Sequence, residues 1–127
     1  MPPALKILVL DDEPAISQLV SRILNSRGFV TIVVGSCEEA EAILHSDGEG
    51  IALLISDVTM PDMSGPVFVQ KLRDENINLP VLFMSAHSRD TVVNVPGFGE
   101  RHFFVQKPFT ADEVTVKVQE ALYGVTR

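Results

Sequence analysis

The sequence predicts an α/β domain, a parallel sheet covered by helices on both faces. Three observations predict it. Strand-like and helix-like segments alternate five times along 127 residues, with no low-complexity stretch between them, which is the signature of repeated βαβ units. The strand-like runs are continuously apolar rather than alternating, as expected when both faces of a strand are buried. The runs at residues 7–10, 51–56, 81–84 and 103–106 are closed by polar residues. In a parallel sheet those residues share the carboxyl edge, where open α/β sheets bind ligands.

The elements follow in order. Ile7-Leu8-Val9-Leu10 is the first strand. A helix begins near Pro14, because proline suits the first helical position. Its apolar stripe is Ile16, Leu19, Val20, Ile23 and Leu24, spaced for one helical face. Gly28 is placed to end it. Val30 to Val34 is the second strand, closed by Gly35. Ser36-Cys37-Glu38-Glu39 fits a capping box, and Ala40, Ile43 and Leu44 give the buried side of the second helix. His45 falls near the end of that helix, where positive charge suits the dipole.

Ile51 to Ser56 is the third strand, and Ser64-Gly65-Pro66 opens a third helix that buries Phe68 and Leu72. Pro80 opens the fourth strand, Val81 to Met84, where its missing N–H does little harm. The weak stretch is Ser88 to Arg101. A short helix over Arg89 to Val95 should stop at Val95-Pro96-Gly97-Phe98-Gly99. Phe103 to Gln106 is the fifth strand. Thr110-Ala111-Asp112-Glu113 is a second capping box, ahead of a stripe of Val114, Val118, Ala121 and Leu122.

Composition narrows the function. Ten basic against seventeen acidic residues give a formal charge of −7, opposite to the basic stripe of a nucleic-acid surface. A single cysteine, Cys37, leaves neither an internal disulfide nor a cysteine-based zinc site. No run approaches the roughly 20 apolar residues needed to span a bilayer, and the first residues lack the apolar core of a signal peptide. The expectation is one cytoplasmic domain over residues 1–127 with no direct membrane contact, whatever membrane segments a parent protein carries.

The chemistry lies at the strand ends. Asp11 and Asp12 follow the first strand, Asp57 the third, Ser85 the fourth and Lys107 the fifth. Three carboxylates, a hydroxyl and an ammonium suit a divalent cation and a phosphoryl group. Mg²⁺ takes one or two carboxylates plus phosphate oxygens. Asp12 and Asp57 fit as ligands, with Asp11 holding a coordinated water. Without a cation each pair of carboxylates about 5 Å apart costs roughly 3 kcal/mol at an effective dielectric near 20. Asp57 can also be a nucleophile, since aspartyl phosphates are an established covalent route. Each residue has a plainer reading: helix cap, turn residue, loop hydroxyl, solvated lysine. Their joint occurrence at the ends of four strands is what the plain readings do not explain. His87 and His102 read as surface residues, and no His-His-carboxylate spacing suggests a transition-metal site.

The motifs Val9-Leu10-Asp11-Asp12-Glu13-Pro14, Asp57-Val58-Thr59-Met60-Pro61-Asp62-Met63-Ser64-Gly65, Met84-Ser85-Ala86 and Gln106-Lys107-Pro108-Phe109 resemble those of response-regulator receiver domains of two-component signalling. The resemblance covers essentially the whole chain. The segments around Met60 to Pro66, Leu82 to Ser85 and Phe104 to Phe109 look most like receivers of hybrid sensor histidine kinases. The resemblance implies a flavodoxin-like (βα)₅ three-layer sandwich with strand order 2-1-3-4-5.

By motif position, Asp57 would accept the phosphoryl group from a phosphohistidine. Asp12, Asp57 and the backbone carbonyl of Thr59 would bind Mg²⁺ (or Mn²⁺), with Asp11 acting through water. Lys107 would bridge to the phosphoryl group, and the Lys107–Pro108 bond would be cis. Ser85 would follow that group and Phe104 would switch rotamer with it, the Ser85-to-Val95 loop and helix being the bistable element. Thr59 and His87 flank the site and would tune phosphoryl lifetime by controlling water access.

The implied partner is a sensor histidine kinase or a histidine phosphotransfer domain, with a homodimer through the fourth-helix to fifth-helix face. No turnover is expected beyond self-phosphorylation and autodephosphorylation. A stand-alone regulator or a piece of a longer kinase both suit a chain with no DNA-binding segment after the receiver. Two other classes compete. A haloacid-dehalogenase-type phosphohydrolase also uses aspartate, Mg²⁺ and lysine, but usually carries a second acid two residues after the nucleophile, where this chain has Thr59. A degenerate receiver that only binds a partner conflicts with the complete acidic set.

Overall fold

The computed structural model describes residues 5–47, 50–88 and 103–124. Five strands, β1 (Lys6–Leu10), β2 (Val30–Val34), β3 (Ile51–Asp57), β4 (Val81–Ser85) and β5 (Phe103–Gln106), form one sheet. All pairings are parallel, and the order is β2-β1-β3-β4-β5. Among the described residues the helices are α1 (Pro14–Ser26), α2 (Cys37–Asp47), α3 (Gly65–Asp74) and α4 (Ala111–Tyr123). The expected short helix before β5, the Pro96-Gly97-Phe98-Gly99 stop and His102 lie outside the described residues.

Period-two alternation divides each central strand between two cores. Leu8 and Leu10 of β1, Leu54 of β3 and Phe83 of β4 pack with Ala40 and Leu44 of α2 and Phe68 and Leu72 of α3. Ile7 and Val9, Leu53 and Ile55, and Leu82 and Met84 pack on the other face with Val20 and Leu24 of α1 and Val114 and Val118 of α4. This is the flavodoxin-like three-layer arrangement. Burial of both faces is least complete at β2. As an edge strand it leaves Val30 and Val33 about two-fifths exposed.

Helix ends follow local chemistry. Pro14 is at the start of α1. Beyond its C-terminus Gly28 takes φ 93°, a conformation that costs glycine little, and Phe29 N–H returns to the Leu24 carbonyl at 3.1 Å. The stripe of α1 departs from expectation. Leu19 is 44% exposed, whereas Ser17 is buried beside Val20 and Leu24. The buried arc is rotated towards Ser17, whose hydroxyl donates to the Pro14 carbonyl at 3.2 Å. A small side chain with its own backbone partner can therefore face the core there.

The α4 capping box is complete, with Thr110 and Glu113 each accepting the other's N–H. At α2 the Ser36 hydroxyl accepts Glu39 N–H as expected, but the Glu39 carboxylate accepts from Gly35 N–H instead of Ser36 N–H. A further cap comes from the β3–α3 loop: Asp62 Oδ2 accepts Cys37 N–H at 3.2 Å.

Burial, reinforced by the neighbouring Asp62 charge, pushes the Cys37 thiol up to about 12. The folded thiol thus keeps its proton where the unfolded thiol, with an ordinary value of 9.0, has lost it. That contribution to stability is complete below pH 9.0 and lost as pH rises towards about 12. Urea titrations between pH 8 and 10 should show a steeper alkaline loss for the wild type than for Cys37→Ala. Parallel pH dependence of the two would refute it.

Candidate phosphoryl-transfer site

The strand ends meet as the topology requires. β1 and β3 are adjacent, so Asp11, Asp12 and Asp57 converge. One carboxylate oxygen from each lies within 4.8 Å of the others. Asp11 and Asp57 are buried, and Asp12 is exposed. Lys107, from the turn after β5, reaches across β4 to both buried acids. Its Nζ is 3.0 Å from Asp57 Oδ2 and 3.2 Å from Asp11 Oδ2, and 3.8 Å from Glu13. The Lys107–Pro108 peptide is cis, as expected.

The backbone orients the acids. Asp11 Oδ1 accepts Glu13 N–H at 2.9 Å, and Asp57 Oδ1 accepts Thr59 N–H at 3.2 Å. Ser85, the last residue of β4, is buried, and its hydroxyl accepts His87 N–H at 3.0 Å. Asp12, Glu13, Asp57, Thr59, Ser85, Ala86, His87 and Lys107 line an open cavity of about 340 Å³. Phe104 is buried in the core shared by α2 and α3, opposite Phe83 on β4. In this state it is a core aromatic.

The charges do not balance, and burial makes that matter. Among the described residues Lys107 pairs with Asp11, Glu13 and Asp57, and Asp12 lies beside the two buried acids. Burial, aided by the Asp57 charge, raises the Asp11 carboxyl above its ordinary value despite the Glu13 N–H and Lys107. For Lys107 burial works against the charge, but the hydrogen bonds and charges of Asp57 and Asp11 outweigh it and raise the ammonium above its ordinary value. Lys107 therefore stays protonated at neutral pH. The uncompensated negative charge, with only oxygen donors, fits a hard divalent cation.

A larger hollow of about 670 Å³ opens at the opposite, amino edge of the sheet, lined by Leu44, His45, Ile51, Ile77, Leu79 and Pro80 among others. Among the described residues its lining holds no carboxylate and no lysine, whereas the smaller cavity holds both.

One supporting residue was legible only as the start of a helix. A methyl group on Gly65 would stand 2.3 Å from the Asp57 carbonyl, 2.9 Å from the Ser56 hydroxyl and 3.1 Å from the Phe83 ring. Gly65 N–H also binds the Val58 carbonyl at 2.8 Å. Gly65→Ala is therefore expected to destabilise the fold by about 1–3 kcal/mol, the usual cost of overpacking, and to displace Asp57. Denaturant unfolding and cation affinity would both register it. An unaffected variant would show that the contact is not limiting.

The family described as response regulator receiver domain matches residues 7–119. The chain is 35% identical over 124 residues to the probable transcriptional regulatory protein TcrX of Mycobacterium tuberculosis, covering 94% of this chain and 51% of that one. It is 31% identical over 117 residues to the sensor kinase CckA of Brucella abortus, covering 91% of this chain and 12% of the kinase. The chain thus spans about half of the first relative and about an eighth of the second. Among solved structures, the receiver domain of the hybrid histidine kinase CckA superposes with a TM-score of 0.75 at 31% identity, covering 92% of this chain and 98% of that one. The chemotaxis protein CheY4 of Vibrio cholerae gives 0.82 at 27% identity, covering 94% and 99%.

Proposed function

Because the chain belongs to the response regulator receiver domain family, we propose that Asp57 takes a phosphoryl group from the phosphohistidine of a sensor histidine kinase or histidine phosphotransfer domain. The observation that carries this is Lys107, held within 3.2 Å of both Asp57 and Asp11 at the mouth of an acidic cavity. A carboxylate oxygen of Asp57 attacks phosphorus, the P–N bond breaks, and the imidazole leaves with the electron pair. Thr59 N–H and Lys107 hold the two oxygens of that carboxylate in place. The Lys107 ammonium is then available to the phosphoryl oxygens, where fixed positive charge lowers the barrier most. Ser85 has a proton of its own to donate to a further oxygen.

The oxygen-only donor set fits Mg²⁺, with Mn²⁺ as an alternative. Asp11, Asp12, Asp57 and the Thr59 carbonyl would hold it. When bound it neutralises charge on the carboxylates and the phosphoryl oxygens.

Phosphorylation turns a carboxylate into a dianionic group with more acceptor oxygens, to which Ser85 and Lys107 gain charge-assisted attraction. In the two-state shift proposed here Ser85 moves inward and Phe104 repacks into the vacated space. The rest of the bistable element, residues 89–95, lies outside the described residues, as does much of the expected dimer face. The test is Mg²⁺-dependent labelling by acetyl phosphate or a phosphorylated kinase, with NMR shifts followed at Ser85 and Phe104. Labelling that persists in EDTA, or no shift at those residues, would count against the reading.

Thr59 and His87 are both exposed at the cavity rim, where they can screen the aspartyl phosphate from water. Replacing both by alanine is expected to speed dephosphorylation severalfold, measured as decay of labelled protein. An unchanged decay would dismiss the screening role.

Relatives include both a kinase and transcriptional regulators. The sequence segments around Met60–Pro66 and Phe104–Phe109 favour a hybrid-kinase setting with residues 1–127 as its receiver, on the cytoplasmic side. Rapid phosphoryl exchange with a phosphotransfer domain, in preference to a kinase alone, would support that. Among the described residues no helix is long and apolar enough to cross a membrane.

A further inference from the structure

We propose that Glu41, His45 and Glu75 form a second metal site, of transition-metal type and best matched to Zn²⁺, where α2 meets the end of α3. Glu41 and His45 are one turn apart on α2 and so share a face. Glu75 is the residue that caps α3. His45 Nε2 lies 3.2 Å from Glu75 Oε1 and 3.8 Å from Glu41 Oε2. One donor atom from each of the three lies within 4.8 Å of the others.

Those separations are the argument. Zn²⁺ with nitrogen and oxygen ligands at roughly 2.0–2.2 Å in a tetrahedron sets its donors about 3.3–3.5 Å apart. The two edges from His45 bracket that value, and the remaining donors lie within 4.8 Å, close enough for side-chain movement to seat the ion. The mixed donor set separates this site from the aspartate cluster: imidazole suits zinc, whereas Mg²⁺ demands oxygen. Three protein ligands leave a fourth position for water. The two helices are anchored together, because Ala40 and Leu44 of α2 and Phe68 and Leu72 of α3 share one core. Lys71 competes, since its ammonium lies 3.0 Å from Glu41 Oε2. A bound ion would tie α2 to α3 at their C-terminal ends. The site does not depend on the function assigned to Asp57.

The test is calorimetric titration of the intact chain with Zn²⁺ in excess Mg²⁺, which keeps the aspartate cluster occupied, alongside Co²⁺ absorption as a report of tetrahedral geometry. The expected result is one Zn²⁺ per chain. Affinity should fall by more than about tenfold in His45→Ala and in Glu75→Gln, and rise in Lys71→Met, which frees the Glu41 carboxylate. Circular dichroism establishes that each variant is folded. Equal Zn²⁺ affinity in His45→Ala would overturn the proposal, as would loss of zinc to Mg²⁺, which would put the ion at the aspartates. Absence of Zn²⁺ uptake in excess Mg²⁺, or an affinity that is unchanged or lower in Lys71→Met, also overturns it.

Discussion

Asp57→Asn is expected to reduce phosphoryl labelling to background while leaving the protein folded. The amide has the shape of the carboxylate but not its nucleophilic oxygen, so no aspartyl phosphate can form. Its carbonyl oxygen can still accept Thr59 N–H, the bond that orients the side chain at 3.2 Å. The residue closes β3, where Val58 N–H continues the ladder to the Met84 carbonyl at 2.9 Å, and the substitution touches none of that. Labelling from acetyl phosphate or a phosphorylated kinase, with circular dichroism as a control for folding, checks it. Labelling that survives in a folded variant would overturn the assignment of Asp57.

Lys107→Met is expected to act on stability and rate together. The side chains of Lys107, Asp11 and Asp57 are 12%, 0% and 9% exposed. Removing the ammonium leaves two neighbouring buried carboxylates without their cation. Breaking a buried pair in this way costs about 3–5 kcal/mol, and we expect about 3 because the cavity admits water. Methionine keeps the volume, so the loss is electrostatic and not a packing defect. Mg²⁺ should restore much of the stability by binding the folded state only. It should not restore the rate, which is expected to fall by about 10²–10³ because the fixed charge on the phosphoryl oxygens is gone. Urea unfolding in EDTA and in Mg²⁺, together with single-turnover labelling, separates the two effects. Unchanged stability in EDTA would mean that Lys107 does not compensate the buried acids.

These substitutions address residues visible as motifs in the sequence. Gly65, Asp62 and the His45 cluster were visible as residues but not in those roles. Gly65 was expected only to begin α3, and its closeness to the Asp57 carbonyl depends on how α3 returns to the sheet. Asp62 belongs to the quoted motif, but its capping of α2 joins segments 25 residues apart in the chain. Leu19 shows the converse: helical periodicity assigned it to the core, and the packing of α1 turned it outward.

The sequence alone determined which residues end each central strand, because continuous apolar runs and polar terminators are local properties. It determined the alternation of strands and helices for the same reason, and the caps at Ser36 and Thr110 within one turn of each helix start. Tertiary structure decided what no local pattern encodes. The order β2-β1-β3-β4-β5 sets Asp57 beside Asp11 and lets Lys107 bridge them. Edge position exposes β2. The meeting of α2 with the end of α3 brings Glu75 to His45. Distances between segments remote in the chain arise from burying both faces of the sheet at once, and only the folded packing specifies them.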